Sequence, residues 1–341
     1  MAAVAIPPEL VPHALSLPAK PNAPIHYTYV APSDATSSTL VVFLNGLMMP
    51  QAGWHPAIAL LLRQRKLAAS AWPAMMTYDR YGQGQTSARD PADGLPGKEP
   101  GHGHDVADVV TDLHVLIKEV CRERGGHPPS RLVLIANSIG CAIARLYAER
   151  FVGAPNVSAI LMLDSIMANS DFVSMFPNPD SPSFPGPSSL PDGVTEEEVR
   201  DTRLKYGKMF HPSVVNAEGL SRRNLAELLP HSNTPILKSG DLDGKGPLLL
   251  VVGHDPEWFA KEGEEGSMHT PQAVTMSYVN PAWQRYNEGL VAITNRDRYL
   301  ATEKVPLIAP KCGHFIQRDD PLFVAGLVDK ILNAVDATFD S

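Results

Sequence analysis

The segment LVLIANSIGCAIA, residues 132–144, decides the fold of this chain, because an aliphatic run stops abruptly at a serine and a small-residue segment follows. The aliphatic run is typical of a buried strand, and the segment after it is compatible with a helix. Ser138 stands where the two meet. A serine there is either a helix cap or a nucleophile raised on a tight turn, and the pentapeptide ANSIG alone does not choose between them.

Outward from this segment, strand-like apolar runs alternate with helix-like runs along most of the chain. The strand candidates are 38–46, 72–87, 131–136, 157–165 and 247–255, and the helix candidates are 55–68, 105–124, 138–151 and 281–295, with a last helix within 312–335. Parallel strands that are apolar throughout are covered by helices on both faces of their sheet. The alternation therefore predicts an α/β fold with a mostly parallel central sheet flanked by helices.

The alternation stops between residues 168 and 246. A stretch rich in proline and serine comes first, and helix-like patterns follow at 195–210 and 216–229. Since the core pattern resumes at once afterwards, we expect a helical cap inserted at 168–246, between a first part of the core at 1–167 and a second part at 247–341.

Proline marks two places where neither helix nor strand is expected. Many of the 32 prolines fall in the first 35 residues and in residues 177–191. Because proline fixes φ and lacks an N–H donor, both segments are predicted to be irregular.

Composition excludes several classes of partner. The 341 residues carry a formal net charge of −8, which disfavours nucleic acid. Three cysteines, an odd number, argue against a disulfide framework, and no zinc-type spacing of cysteine and histidine occurs. Without an 18-residue apolar run or a signal-peptide pattern, we expect a cytoplasmic protein with no membrane contact. The expected partner is a small-molecule substrate, and the oligomeric state is left open.

Polar residues stand where the predicted parallel strands end. They are Asn45, Asp79, Ser138 and Asp164. Ligands of such sheets bind at the carboxyl ends of the strands, so these residues mark the expected site. A serine nucleophile there needs a histidine base, and His314, in KCGHFIQRDDP, is the histidine in the right place late in the chain.

The residues around Ser138 are compatible with a nucleophile elbow. Such a turn requires small residues two positions before and two positions after the nucleophile, here Ala136 and Gly140. Alanine replaces the usual glycine at the first position, which leaves slightly less room for the turn.

Four motifs occur in an order that resembles a known family. They are VVFLNGL, YDRYGQGQTS, ANSIG and GHFIQRDDP. With them the chain resembles the α/β-hydrolase fold superfamily, of the AB hydrolase-1 type with an inserted helical cap. The resemblance implies a serine–histidine–aspartate triad, no metal or organic cofactor, and an oxyanion hole formed by the backbone N–H groups of Leu47 and Ile139. Asn45 replaces the histidine that is usual in the first motif.

The acid of the implied triad has two candidates. Asp164 ends the strand after the serine, whereas Asp255 follows the next core strand, a long way before His314. Most members of the superfamily use the later position. A subset that this chain resembles more closely carries L-x-D-S at the earlier strand, so Asp164 is preferred and Asp255 is kept as the alternative acid.

Methionine and tryptophan are frequent in the loops and in the cap candidates. The predicted pocket residues are Asn45, Met48, Met167 and Trp258, and ordinary packing is the alternative interpretation of each. A pocket wall rich in methionine and tryptophan suits an apolar, bulky substrate.

The predicted function is that of a serine hydrolase of the carboxylic ester hydrolase class, which cleaves an ester, lactone or thioester of an apolar small molecule. Because one fold hosts many chemistries, two alternatives retain the same residues. The first is a non-hydrolytic enzyme, of haloperoxidase-like, lyase or cofactor-free oxygenase type. The second is a small-molecule receptor.

Overall fold

The computed structural model describes residues 10–125, 128–153, 155–239 and 244–339. Its strands are β1 (Pro12–Leu17), β2 (Lys20–Val30), β3 (Thr39–Leu44), β4 (Ala74–Tyr78), β5 (His104–Asp105), β6 (Arg131–Ser138), β7 (Asn156–Ser165), β8 (Leu220–Ser221), β9 (Leu248–Gly253) and β10 (Leu307–Ile308). One sheet has the order β1-β2-β4-β3-β6-β7-β9-β10, and β5 pairs with β8. Strands β3, β4, β6, β7, β9 and β10 are parallel, whereas β1 and β2 are antiparallel. The predicted mostly parallel sheet is confirmed.

The helices are α1 (His55–Leu67), α2 (Val106–Glu123), α3 (Ile139–Arg150), α4 (Glu196–Met209), α5 (Leu225–Leu228), α6 (Pro256–Glu265), α7 (Gln272–Val274), α8 (Asn280–Leu290), α9 (Ile316–Asp319) and α10 (Pro321–Phe339). α1 connects β3 to β4 in one direction across the sheet, and α3 connects β6 to β7 in the other. Right-handed crossovers that run in opposite directions place their helices on opposite faces. α1 and α10 therefore cover one face, and α2 and α3 cover the other.

The strand order changes direction between β3 and β6, which are direct neighbours in the sheet. The chain leaves the carboxyl end of β3 toward one face and that of β6 toward the other. A crevice opens between the two departing loops, and ligands of open parallel sheets bind in such a crevice. Ser138 ends β6 at this point.

The expectation of irregular chain in the first 35 residues is wrong for residues 12–30, where β1 and β2 form an antiparallel hairpin, and for residues 1–9 it lies outside the described residues. Pro12 is the first residue of β1, which is an edge strand, and the missing N–H of a proline is tolerated at that position. The expectation for residues 177–191 is confirmed, since the regular structure there is the single 3-10 turn Pro187–Ser189.

The segment between β7 and β9 contains one of the two predicted helices. α4 begins at a capping box in which Thr195 and Glu198 each bond the other's backbone N–H, and it matches the predicted helix at 195–210. The predicted helix at 216–229 is wrong. Asn216 instead bonds both backbone groups of Leu220 around Gly219, which adopts φ 70°, and this turn precedes β8 and the four-residue α5.

Candidate active site

Ser138 adopts φ 56° and ψ −123°, and α3 begins at the next residue, Ile139. A positive φ strains a residue with a side chain and is typical of a serine held on an elbow. Gly140 allows the turn to lie against the sheet, because a Cβ at this position would stand 2.4 Å from the carbonyl oxygen of Leu44 in β3. Ala136 is fully buried on the strand side. The local sequence thus forms the tight turn predicted from ANSIG.

Asp164 lies beside this turn because β7 contains a bulge. In the pairing of β6 with β7, Asn137 faces Leu163 and Ser138 faces Ser165, so Asp164 is the extra residue, and its φ is 43°. A bulge redirects the side chain of its extra residue. The fully buried Asp164 carboxylate is thereby directed to His314, whose Nδ1 lies 2.6 Å from Oδ2.

Ser138 and His314 line the same cavity, with Asp164 behind the histidine. Nδ1 of His314 is occupied by the aspartate, which leaves Nε2 as the ring nitrogen that can accept a proton. Within the described ranges, no hydrogen bond joins the Ser138 hydroxyl to the ring. Hydrogen bonds between a nucleophile and its base often tighten only when substrate binds.

Asp255, the alternative acid, caps a helix. Its Oδ1 accepts hydrogen bonds from the backbone of Glu257 and Trp258 in the first turn of α6, at 3.1 and 3.2 Å. Its Oδ2 accepts from the backbone of Lys311, at 3.0 Å. Both oxygens therefore stabilise chain turns, and the carboxylate bonded to His314 is that of Asp164.

A second histidine, His254, bonds the same aspartate, and the sequence reasoning missed it. Its Nδ1 lies 2.9 Å from Oδ1 of Asp164, and its Nε2 lies 3.1 Å from Oδ1 of Asn280. Asn280 donates its Nδ2 to the Pro256 carbonyl at 2.9 Å, so its oxygen must face the ring. With an acceptor at each nitrogen, both ring nitrogens can donate only when the ring is protonated, so this arrangement favours the imidazolium form of His254. The sequence feature that could have indicated His254 is its position directly after β9 and beside Asp255.

The charges of this group of side chains stabilise one another. Burial raises the pKa of the Asp164 carboxyl, but His254 and His314 outweigh burial and lower it to about 2. Burial lowers the pKa of His254, but the Asp164 carboxylate outweighs burial and raises it above its ordinary value. Asp164 is therefore an anion near neutral pH although water is excluded from it.

The backbone N–H groups predicted to form an oxyanion hole lie on both sides of Ser138. Ile139 follows it directly at the start of α3. Gly46 packs against it from the loop after β3, since a Cβ at Gly46 would be 3.3 Å from the Ser138 Cβ. In the part of the chain that the structure describes, the N–H of Leu47 has no acceptor. A backbone N–H without an acceptor is compatible with the predicted oxyanion hole.

Buried polar side chains hold the loop of residues 45–50 in place. Arg80 donates to the Gly46 carbonyl at 2.8 Å and to both oxygens of Glu218, at 2.8 and 3.1 Å. Glu218, which is fully buried, also accepts hydrogen bonds from the Met48 backbone and from Gln83. Glu218 belongs to the segment between β7 and β9, so that segment helps to fix the loop of residues 45–50.

The cavity that Ser138 and His314 line has a volume of about 320 Å³ and mostly apolar walls. Its other lining residues are Leu47, Met48, Ile166, Phe172, Tyr206, Met209, Phe210, Arg222, Phe259, Trp283 and Phe315. Its aromatic side chains come from five separate parts of the sequence, which is why no single motif revealed them. The indole of Trp283 lies edge-on to the His314 ring, with 5.3 Å between the ring centroids.

Of the four predicted pocket residues, Met48 lines this cavity and three do not. Asn45 is buried behind it, where its side chain bonds the Tyr78 carbonyl, Gln83 and the Trp54 indole, and so supports the loop. Met167 lines a separate, open depression. Trp258 lies on the surface of α6. A loop position in the sequence does not reveal which way a side chain points.

No group of three or more histidine, cysteine, aspartate or glutamate side chains among the described residues could hold a metal ion. None of the described helices is both long enough and apolar enough to cross a membrane.

The model of the alpha/beta hydrolase family matches residues 41–327, which include the elbow, Asp164 and His314. This chain belongs to the alpha/beta hydrolase family. The family assignment agrees with the resemblance carried by the four sequence motifs. No curated protein matches the sequence of this alpha/beta hydrolase.

Solved structures share the fold at low sequence identity. A putative hydrolase from Agrobacterium vitis S4 is 12% identical, with a TM-score of 0.50 over 94% of this chain and 98% of that one. Carboxyl esterase 2 from Tuber melanosporum is 13% identical, with a TM-score of 0.51 over 98% and 89%. An AqdC variant that cleaves the ring of the Pseudomonas quinolone signal is 16% identical, with a TM-score of 0.52 over 95% and 100%. Because the activities of these proteins differ, the likeness supports the fold and leaves the reaction open.

Proposed function

We propose that this alpha/beta hydrolase is a serine hydrolase that cleaves a carboxylic ester, lactone or thioester of a mainly apolar small molecule. The observation that carries the proposal is the 2.6 Å contact between Asp164 and His314 at the wall of the cavity that also exposes Ser138. A buried aspartate, a histidine and a serine on a strained turn form the arrangement that activates a serine hydroxyl.

In the proposed reaction, the Ser138 oxygen attacks the substrate carbonyl while Nε2 of His314 accepts the hydroxyl proton. Asp164 keeps the other ring proton on Nδ1 and stabilises the charged ring. The N–H groups of Leu47 and Ile139 stabilise the oxyanion of the tetrahedral intermediate. His314 then protonates the leaving group, and water, activated by the same ring, hydrolyses the acyl-enzyme. The apolar walls favour substrates with aliphatic or aromatic groups.

A fluorophosphonate probe tests this proposal, because it reacts covalently with an activated serine. We expect labelling of the unaltered protein and no labelling of Ser138→Ala, with the modified peptide identified by mass spectrometry. Ser165→Ala is the matched control: Ser165 is a buried neighbour at the end of β7 that bonds the Ile166 carbonyl, and its loss should leave labelling intact. A folded, unaltered protein that stays unlabelled would contradict the proposal.

A further inference from the structure

Arg222 places a positive charge at the wall of the apolar cavity. It follows β8, it is 5% exposed, and it is the only lysine or arginine among the described residues that line this cavity. The neighbouring walls are aromatic and aliphatic, so they do not screen its charge.

The hydrogen bonds of Arg222 leave part of its guanidinium group unused. Nη1 donates to the carbonyl of Phe210 at 3.1 Å, and Nη2 donates to those of His211 and Val214 at 3.2 and 3.4 Å. A guanidinium has five N–H donors, so three carbonyl acceptors do not satisfy it. Its Nε is buried and has no partner within the described residues.

The described residues also supply no carboxylate as an ion-pair partner for Arg222. The charge of Glu218 acts on Arg222, but both Glu218 oxygens are bonded to Arg80. Burial lowers the pKa of Arg222, and Glu218 offsets only part of this effect. A buried cation without an anion is unfavourable, so an anionic ligand beside it gains both charge attraction and a free donor.

We propose that Arg222 binds a carboxylate of the substrate, so that the protein acts on esters that carry a second, ionised carboxyl group. The inference rests on the proposed function, because it names the substrate class of the same cavity. The scissile carbonyl lies at Ser138, the body of the substrate contacts the aromatic walls, and the carboxylate lies at Arg222. No covalent bond to Arg222 forms or breaks, since its role is to recognise the carboxylate.

Binding of uncleaved esters to Ser138→Ala tests the inference without requiring turnover. Monobenzyl glutarate carries the carboxylate on the acyl side, and 4-(butanoyloxymethyl)benzoate carries it on the alcohol side. Each is compared with its neutral primary amide by calorimetric titration. We expect one of the two carboxylates to bind about tenfold tighter than its amide, as a charged hydrogen bond in a buried site predicts.

The same titrations in Ser138→Ala combined with R222Q, R222K or R203Q assign the preference to one side chain. R222Q should abolish it, and R222K should retain part of it. Arg203 is the matched control, because it also donates to carbonyl groups of this segment, those of Val173 and Phe176, and does not line the cavity. R203Q should leave the preference unchanged.

A measurement on the folded S138A protein covers the case in which R222Q does not fold. The Nε–H resonance of Arg222, assigned by its loss in R222K, should shift when the carboxylate is added and not when the amide is added. Equal affinity for carboxylate and amide, a preference that persists in R222Q, or an unmoved resonance would overturn the inference. Because none of these measurements involves turnover, they are independent of the fluorophosphonate result, which tests the proposed function.

Discussion

At the residue scale, Asp164 is the centre of the site because it bonds two histidines with its two oxygens. Oδ2 bonds His314, and Oδ1 bonds the cationic His254. The charge of the buried aspartate is thus balanced before His314 takes up a proton. His254 does not line the cavity of Ser138, so we regard it as a residue that positions and neutralises Asp164.

Replacing Asp164 with asparagine should lower kcat by roughly a hundredfold or more, because an amide can favour the wrong tautomer of the base. The matched control is Asp255→Asn. Among the described residues, the Asp255 carboxylate bonds only backbone N–H groups of α6 and Lys311, so its loss should weaken a helix cap and leave kcat close to the original value. Fluorophosphonate labelling rates give the comparison for an unidentified substrate. A larger effect of Asp255→Asn would make Asp255 the acid.

His254 should make folding stability depend on pH on the alkaline side. Its pKa is raised in the folded protein, so its contribution is complete below the ordinary histidine value of about 6.5 and is lost as pH rises through the raised value. Asp164 acts at the opposite end, since its pKa is lowered to about 2 and its contribution is lost as pH falls toward that value.

The measurement is the melting temperature from pH 6 to pH 9, roughly the window in which a raised histidine titrates. The unaltered protein should lose stability across this range more steeply than His254→Gln. His211→Gln is the control, because among the described residues the His211 ring bonds only the side-chain and backbone groups of Ser213. Parallel curves for the unaltered protein and His254→Gln would disprove the role assigned to His254.

At the element scale, the β6–α3 elbow depends on a close approach between α3 and β3. Gly140 is the residue that permits it, since the carbonyl groups of Leu44 and Asn45 occupy the space in which a Cβ would lie. The small residues of ANSIG therefore serve the packing of two elements, and the strained φ of Ser138 is a consequence of that packing.

Gly140→Ala should destabilise the protein by about 1–3 kcal/mol, because either β3 or α3 must move away. Urea unfolding gives the free energy of unfolding for this comparison. Gly326→Ala in α10 is the matched control: among the described residues, no atom outside its chain neighbours and the backbone of its own helix lies within 4 Å of its Cβ position, and alanine is the better helix former. That variant should be as stable as the original or more so. An unchanged free energy of unfolding in Gly140→Ala would show that the elbow has more room than the structure indicates.

Sequence patterns predicted the buried strands and the amphipathic helices, because the apolar residues of each element follow a pattern that is visible within that element alone. α2 at Val106–Glu123 and β7 at Asn156–Ser165 match the predictions at 105–124 and 157–165 closely. The failures occurred where specific hydrogen bonds, and not an apolar period, decide the local structure. β1 is a strand because it pairs with β2, and residues 216–229 turn because Asn216 bonds Leu220.

At the scale of the whole molecule, the segment between β7 and β9 and the core are joined at the loop beside Ser138. Glu218 enters the core, pairs with Arg80 and binds the Met48 backbone. Both charged side chains are almost completely buried, so neither is replaced easily. The same segment also supplies Arg222 to the cavity. It thus contributes both to the loop beside Ser138 and to the cavity wall.

Glu218→Gln should cost about 3 kcal/mol of stability, since it leaves Arg80 as an uncompensated buried charge. It should also slow fluorophosphonate labelling, because the loop that carries Leu47 loses a partner. Glu99→Gln is the control. Glu99 pairs with Arg223 of the same segment at the surface, where solvent screens the ion pair, so its loss should change stability little. Equal effects of the two changes on unfolding and labelling would refute the structural role of Glu218.

Local sequence was sufficient to predict the α/β fold, the elbow at Ser138 and the candidacy of His314, because periodicity and turn chemistry are properties of neighbouring residues. The tertiary structure was needed to identify Asp164 as the carboxylate at His314, since a bulge in β7 directs it. It also revealed His254 and Arg222, whose partners lie on other elements. The direction of a side chain and the partners available to its hydrogen-bond donors and acceptors depend on how distant segments pack. Local sequence does not encode them.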